Sequence, residues 1–266
     1  MKASSRPFLA TSLFLSFILI LGCSLAVGQG IVTGSISGVV QDPQKAVVPN
    51  ARITAVQSGT NATFATQSNG EGYFFLPNLP IGTYTVTVEA EKFNKLQIKS
   101  AEVNSGKNNN LGAQGLTLGA TETVSVEATA PLVETTTSQI GGYFDTRAVS
   151  QLPNAGAGFD NLALYVPGVA NNGAANFSNT NGAALANNGL RGRSNNFQID
   201  GQANNDNSVA GPLVFLSNPD VVGEVQVVTN NFGAEYGRNS GSVVNYITKS
   251  GTNSFHGSAY EFNQGN

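Results

Sequence analysis

The run Thr83-Tyr-Thr-Val-Thr-Val-Glu89 puts Tyr84, Val86 and Val88 on one side and the threonines and Glu89 on the other. That is the period of two of a half-buried β-strand, which a helix of period 3.6 cannot use. Similar short runs surround it at residues 36–41, 52–57, 63–67, 73–76 and 93–103. Each is cut off by turn chemistry: Asp42-Pro43, Pro49-Asn50, Ser58-Gly59, Asn69-Gly70 and Leu79-Pro-Ile-Gly82. Strands this short, with frequent turns and no helical period, predict a small β-sandwich over residues 31–118.

At the N-terminus Lys2 and Arg6 precede an apolar stretch from Phe8 to Leu21, and Ala26-Val27-Gly28 supplies small residues for cleavage. This is the layout of a secretory signal over residues 1–28. About fourteen apolar positions are fewer than the roughly 20 that a membrane-crossing helix needs, although a membrane anchor is the competing reading. Ile20-Leu-Gly-Cys23 also has the form of a lipoprotein processing box, which would make Cys23 a lipidated first residue. Cleavage after Gly28 removes Met1 and Cys23, each the sole residue of its kind. With Lys2 and Arg6 gone, thirteen basic residues become eleven against sixteen acidic ones, a net charge of −5. Such a chain has no thiol chemistry and no electrostatic footprint for nucleic acid. Only 11% of residues are charged, with 31 glycines and no Trp, against about a quarter charged in ordinary soluble proteins. This composition suits β-structure and polar loops.

From residue 132 to 251 the pattern changes. Residues 146–152 ahead of Pro153, and 159–165 ahead of Pro167-Gly168, predict short helices stopped by proline. Residues 197–201 and 223–229 predict strands. The second is preceded by Ser217-Asn-Pro-Asp220, which has the form of a helix cap with proline in the first turn. Together these predict a mixed sheet with small helices. Residues 171–207 are dense in Asn, Gly and Ala with little periodic hydrophobicity, and predict loops. Catalysis has little to stand on, because His256 is the only histidine and no Gly-x-Ser-x-Gly frame occurs. Asp200 and Asp206 lack the glycine and terminal glutamate of an EF-hand loop, and no cofactor or metal is expected.

Several of these segments resemble known families. Gly38-Val-Val-Gln-Asp42, Val48-Pro-Asn-Ala51, Asn69-Gly-Glu-Gly-Tyr-Phe74, Leu79-Pro-Ile-Gly-Thr-Tyr84 and Phe93 resemble the carboxypeptidase regulatory-like domain. That family is a transthyretin-like sandwich and does not hydrolyse peptides. Gly70 and Gly72 are expected to supply tight-turn angles, and Tyr73, Phe74 and Tyr84 to fill the core. Leu152-Pro153, Pro167-Gly-Val169, Gly189-Leu-Arg-Gly-Arg193, Phe197-Gln-Ile-Asp-Gly201, Glu224-Val-Gln-Val227, Ala234-Glu-Tyr-Gly237 and Lys249-Ser-Gly-Thr-Asn253 resemble the plug domain of TonB-dependent outer-membrane receptors. The combination is similar to the Oar-like type, which carries such a sandwich in front. The expected fold is mainly β with a smaller α+β module: a transthyretin-like sandwich, then a plug-type mixed sheet with short helices.

The resemblance implies a division of labour along the chain. Residues 119–131 would be a linker whose Glu122, Thr123, Val124, Ser125, Val126, Glu127 and Ala128 are similar to the TonB box, the strand that pairs with the TonB C-terminal domain. A plain interdomain strand is the alternative. Residues 132–251 would plug a β-barrel, and residues 252–266 would begin its first strand, leaving the barrel itself downstream. Arg191, Arg193 and Arg238 would pair with carboxylates of the barrel wall, or be solvated loop arginines. Asn171, Asn172, Asn187, Asn188, Asn204, Asn205, Asp206 and Asn207 would lie along the path of an unknown ligand, or form a polar linker. The implied location is the outer membrane, with the N-terminal domain in the periplasm. The rival is a secreted or periplasmic carbohydrate-binding or adhesion sandwich.

Overall fold

The computed structural model describes residues 32–119, 122–128, 138–152, 159–171, 185–206, 211–214, 216, 218–237, 239–255 and 257. The expected signal peptide with Cys23, the positions Asn172, Asn207, Arg238 and His256, and ten of the fifteen residues of the expected barrel strand (252–266) lie outside them.

Two sheets stack over one apolar core. β1 (Thr33–Gln41), β4 (Tyr73–Pro80) and β7 (Asn108–Gly115) form one sheet in the order β4-β1-β7. β2 (Arg52–Gln57), β3 (Thr63–Gln67), β5 (Gly82–Glu89), β6 (Lys95–Val103) and β8 (Thr123–Glu127) form the other in the order β3-β2-β5-β6-β8. On β5, Tyr84, Val86 and Val88 are fully buried, the alternation their sequence predicts. They meet Ile36, Phe74 and Leu79 from the facing sheet in a shared core. β6 changes parity partway: Leu96 and Ile98 face inward, then Ala101 and Val103 do. A bulge accounts for the change, with Ser100 at φ 58° where the register to β5 slips. Two pairings are parallel, β1 with β7 and β6 with β8.

The turn before β4 is closed by Asn69, whose Oδ1 accepts from the N–H of Glu71 at 3.0 Å and of Tyr73 at 2.9 Å. Gly72, at φ 71°, carries the left-handed angle there. Gly70 does not, contrary to expectation. Tyr73 is a second correction: it is 41% exposed and Phe75 44%, while Phe74 is buried. The parity is set by Gly38 on the neighbouring strand, where a Cβ would stand 2.8 Å from the Phe74 ring. Glycine leaves the hole that ring fills.

The second module is built on a five-stranded sheet in the order β13-β12-β15-β14-β9. Its strands are β9 (Ile140–Phe144), β12 (Asn196–Ile199), β13 (Gln202–Ala203), β14 (Val222–Asn230) and β15 (Val243–Thr248), beside a ribbon of β10 (Val169–Asn171) and β11 (Leu185–Asn187). Helix α1 (Thr146–Gln151) is capped by Asp145, whose side chain accepts from the Ala148 N–H at 2.7 Å. It stops where expected, because Leu152 precedes Pro153 and takes an extended conformation. Residues 159–165 form a 3₁₀ helix. Of the expected helix cap at residues 217–220, Ser217 lies outside the described residues and residues 218–220 turn into β14, with the Asn218 side chain accepting from the Asp220 N–H at 2.8 Å. β12 and β13 are joined by Asp200-Gly201, both at positive φ, the geometry of a type I′ hairpin turn. Asp200 is held by Thr248, whose N–H and hydroxyl each donate at 2.8 Å.

One face of this sheet packs α1 and the 3₁₀ helix through Phe144, Val149, Leu162, Phe197, Val225 and Tyr246. The other carries Glu224, Gln226, Asn245 and Gln198, all buried. The sheet is therefore buried on both faces, one apolar and one polar.

Tyr84 is the largest side chain of the sandwich core, and its hydroxyl donates to the Pro80 carbonyl at 2.7 Å. Burial pushes its phenol up to about 12. Tyr84→Phe leaves that carbonyl without its donor and is expected to cost about 1 kcal/mol, a fall of a few degrees in melting temperature. Tyr84→Ala is expected to cost about 3–5 kcal/mol. Thermal unfolding of the two variants checks the ordering.

Candidate functional site

The expected coupling segment is a strand of the sandwich. β8 closes the five-stranded sheet, and its register to β6 runs from Lys95↔Thr123 to Lys99↔Glu127 without a slip. Glu122 and Ala128 extend the ladder at either end, the first accepting from the Lys95 N–H at 3.1 Å and the second donating to the Lys99 carbonyl at 2.8 Å. Val124 and Ala128 pack against the core, whereas Val126 is 38% exposed. The Ser125 hydroxyl reaches Gln97 at 3.4 Å, a long contact. Glu122, Thr123, Val124, Ser125, Val126, Glu127 and Ala128 thus lie along one strand, paired on one side. Among the described residues no strand pairs with its other side.

The second arrangement joins the modules. The turn between β6 and β7 brings Ser105, Gly106 and Lys107 onto the polar face of the other sheet. The Lys107 ammonium stands 3.5 Å from the Tyr143 ring centroid, a cation–π contact. Gln226 donates to the Tyr143 hydroxyl at 2.9 Å, and the Ser105 hydroxyl meets the Gln226 carbonyl oxygen at 3.5 Å. The Ser105 N–H bonds to the carboxylate of Glu224, which is 6% exposed and whose Oε1 has no hydrogen-bond partner among the described residues. At a second point Asn253 donates its N–H to the Gly59 carbonyl at 3.0 Å and its amide to the Thr60 carbonyl at 2.6 Å. Neither contact is visible in sequence, since Ser105 and Glu224 are too far apart for any local pattern.

Several of the described asparagines between residues 187 and 205 brace the backbone. Asn187 is fully buried and donates to Asn195 and to Ser242, each at 2.8 Å. Asn204 exchanges two bonds with Val214, both at 2.9 Å. Asn205 accepts from the Phe197 N–H at 2.8 Å and donates to Asn196 at 2.7 Å. Asn188 sits at φ 50° and donates to the Thr229 carbonyl at 3.1 Å. Asn171 ends β10 and is exposed, and the Asp206 N–H donates to the Gly211 carbonyl at 2.9 Å. Arg191 and Arg193 are exposed on the 3₁₀ turn that leads into β12. Among the described residues, no three His, Cys, Asp or Glu come together as metal ligands.

Residues 35–117, which take in most of β1 and all of β2 to β7, match the carboxypeptidase regulatory-like domain family. The chain is 25% identical over 240 residues to the TonB-dependent transporter Oar of Myxococcus xanthus, an alignment covering 86% of this chain and 21% of that protein. The chain therefore spans about a fifth of the length of that relative. Among solved structures, the Bacillus anthracis TIE protein overlaps 33% of this chain and 17% of its own at 20% identity and a TM-score of 0.27. A type II cohesin–X-dockerin complex from Acetivibrio cellulolyticus overlaps 32% of this chain and 58% of its own at 21% identity and a TM-score of 0.26. At such scores the fold stands on its own sheets and core.

Glu224 gives the junction a pH dependence. Burial pushes its carboxyl up to about 7, against the smaller opposing pulls of the Ser105 N–H and the Lys107 charge, and with a small further push from Asp145. A carboxyl raised above its unfolded value stabilises the fold fully below about 4.5 and loses that contribution as pH climbs through about 7. Above that range the fold carries a buried charge at a cost on the order of 3 kcal/mol. Glu224→Gln is therefore expected to stabilise the chain at pH 8 by about 1–3 kcal/mol and to make little difference at pH 4.5. Denaturant melts at the two pH values measure this, and an equal effect at both contradicts it.

Proposed function

We propose that this chain is the front end of a TonB-dependent outer-membrane receptor of the Oar-like type. The sandwich and coupling strand would stand in the periplasm, and the second module would plug a barrel built by sequence downstream. The observation that carries this reading is the similarity to a TonB-dependent transporter over 86% of the chain, a span longer than either module. The geometry supports it at one place above all. Glu122–Ala128, the segment similar to a TonB box, is a strand that no described strand pairs on its outer side, and pairing along that edge can transmit a pull with little demand on side chains. Ligand arrival would loosen the plug, and TonB pulling on β8 would draw on the chain leading to β9, the edge strand of the second sheet. Arg191 and Arg193, exposed ahead of β12, suit carboxylates of the barrel wall, with Arg238 a third candidate. Of the ligand-path asparagines, Asn171 and Asn188 are exposed.

A second reading has one observation in its favour. Tyr73 and Phe75 both point outward from β4 and offer aromatic area to a sugar ring. A glycan array probed with the chain and with Tyr73→Ala tests it, and loss of a specific signal in the variant would favour this rival.

For the receptor reading, the chain is expected to bind purified TonB C-terminal domain, and deletion of residues 122–128 is expected to weaken binding more than roughly tenfold. Undiminished binding by the deletion variant would place the coupling contact elsewhere.

A further inference from the structure

We infer that β8 offers its partner one particular edge, the main-chain groups of Thr123, Ser125 and Glu127, and that the sandwich holds the strand extended before the partner arrives. This rests on the coupling reading above and assigns the sandwich a task within it. In a parallel ladder, a residue on one strand bonds through its N–H and C=O to the two residues flanking its partner. The end bonds fix which residues these are: the Lys95 N–H donates to Glu122 at 3.1 Å, and the Ala128 N–H donates to Lys99 at 2.8 Å. With an unbroken register between them, Lys95, Gln97 and Lys99 engage Glu122, Val124, Val126 and Ala128. The N–H and C=O groups of Thr123, Ser125 and Glu127 then point away from β6. Among the described residues no strand takes that side.

Edge strands normally carry a guard against pairing, such as a central charge, a proline or a bulge. β8 has none of these: Val124-Ser-Val126 is uncharged, and its ladder is regular. Its carboxylates, Glu122 and Glu127, stand at the two ends. That arrangement accepts an extended segment with a neutral middle and basic flanks, and repels an acidic one. Holding the strand on β6 also removes backbone ordering from the binding step, the usual benefit of preorganisation.

Proline substitutions separate the two edges. Ser125→Pro removes an outward N–H and leaves the bonds to β6 in place, a position where an edge strand tolerates proline. Val126→Pro removes an inward donor and loosens β8 from the sheet. With the full chain and purified TonB C-terminal domain in titration calorimetry, Ser125→Pro is expected to weaken binding more than roughly tenfold, and Val126→Pro only about two- to fivefold. Should Ser125→Pro lower the melting temperature of the sandwich, Glu127→Pro carries the same test at the strand's end. A greater loss for Val126→Pro than for the outward prolines overturns the inference and leaves the coupling reading standing. Full binding by every variant and by the chain lacking residues 122–128 overturns both.

Discussion

A β-strand cannot leave its main-chain donors and acceptors unmet without cost, so every sheet must decide where pairing stops. In the five-stranded sheet of the sandwich it stops at β3 on one side and at β8 on the other, and β8 is the more exposed of the two. Its inner side is tied to β6, and among the described residues no strand takes its outer side. The sandwich core holds β6 in place through Leu96, Ile98, Ala101 and Val103, and β6 in turn straightens a segment that adds only the partly buried Val124 and Ala128 to that core. A strand so short would be only marginally ordered alone. The function proposed for the segment follows from that dependence: the apolar interior supplies rigidity, and the open edge supplies the binding groups.

The same β6 ends in the turn that touches the second module. Lys107 over Tyr143, and Ser105 against Glu224 and Gln226, join the sandwich to β9 and β14, the outer strand of the second sheet and its neighbour. Polar contacts of this kind are specific but not strong, and a buried carboxyl with an unpartnered oxygen makes them sensitive to protonation. Under the receptor reading proposed above, a contact of that character suits a junction that gives way, whereas the sandwich core suits a part that persists. Displacing β9 from β14 would remove Tyr143 from both Lys107 and Gln226.

Much of the sandwich is legible in sequence because its strands are half-buried and bounded by strong turns. The expected limits of β2 and β3 coincide with those observed, and the inward set on β5 follows from simple alternation. Where side chains do not report the backbone's partner, legibility fails. β7 is missing from the expected strands because Asn108, Asn109, Asn110 and Gly112 are turn formers, yet Asn108 bridges to Ser35 and Ser37 as its backbone pairs with β1. Tyr73 is placed on the wrong face because the choice between it and Phe74 is made by Gly38, on a strand more than thirty residues earlier. The asparagine-rich stretch reads as a wet loop, but Asn187, Asn195 and Ser242 form a buried polar knot. For the candidate site, the alternating pattern of residues 122–128 announces a strand. Which of its edges is open depends on Lys95 and Lys99, and no local signal carries that.

Amide hydrogen exchange along β8 reaches the central claim most directly, because it reads each main-chain donor separately. In the chain alone, the amides of Val124, Val126 and Ala128 should exchange slowly and those of Thr123, Ser125 and Glu127 fast, and addition of the TonB C-terminal domain should slow the fast set. Uniform exchange along the strand, or protection that the partner removes from Val124 and Val126, would contradict the account.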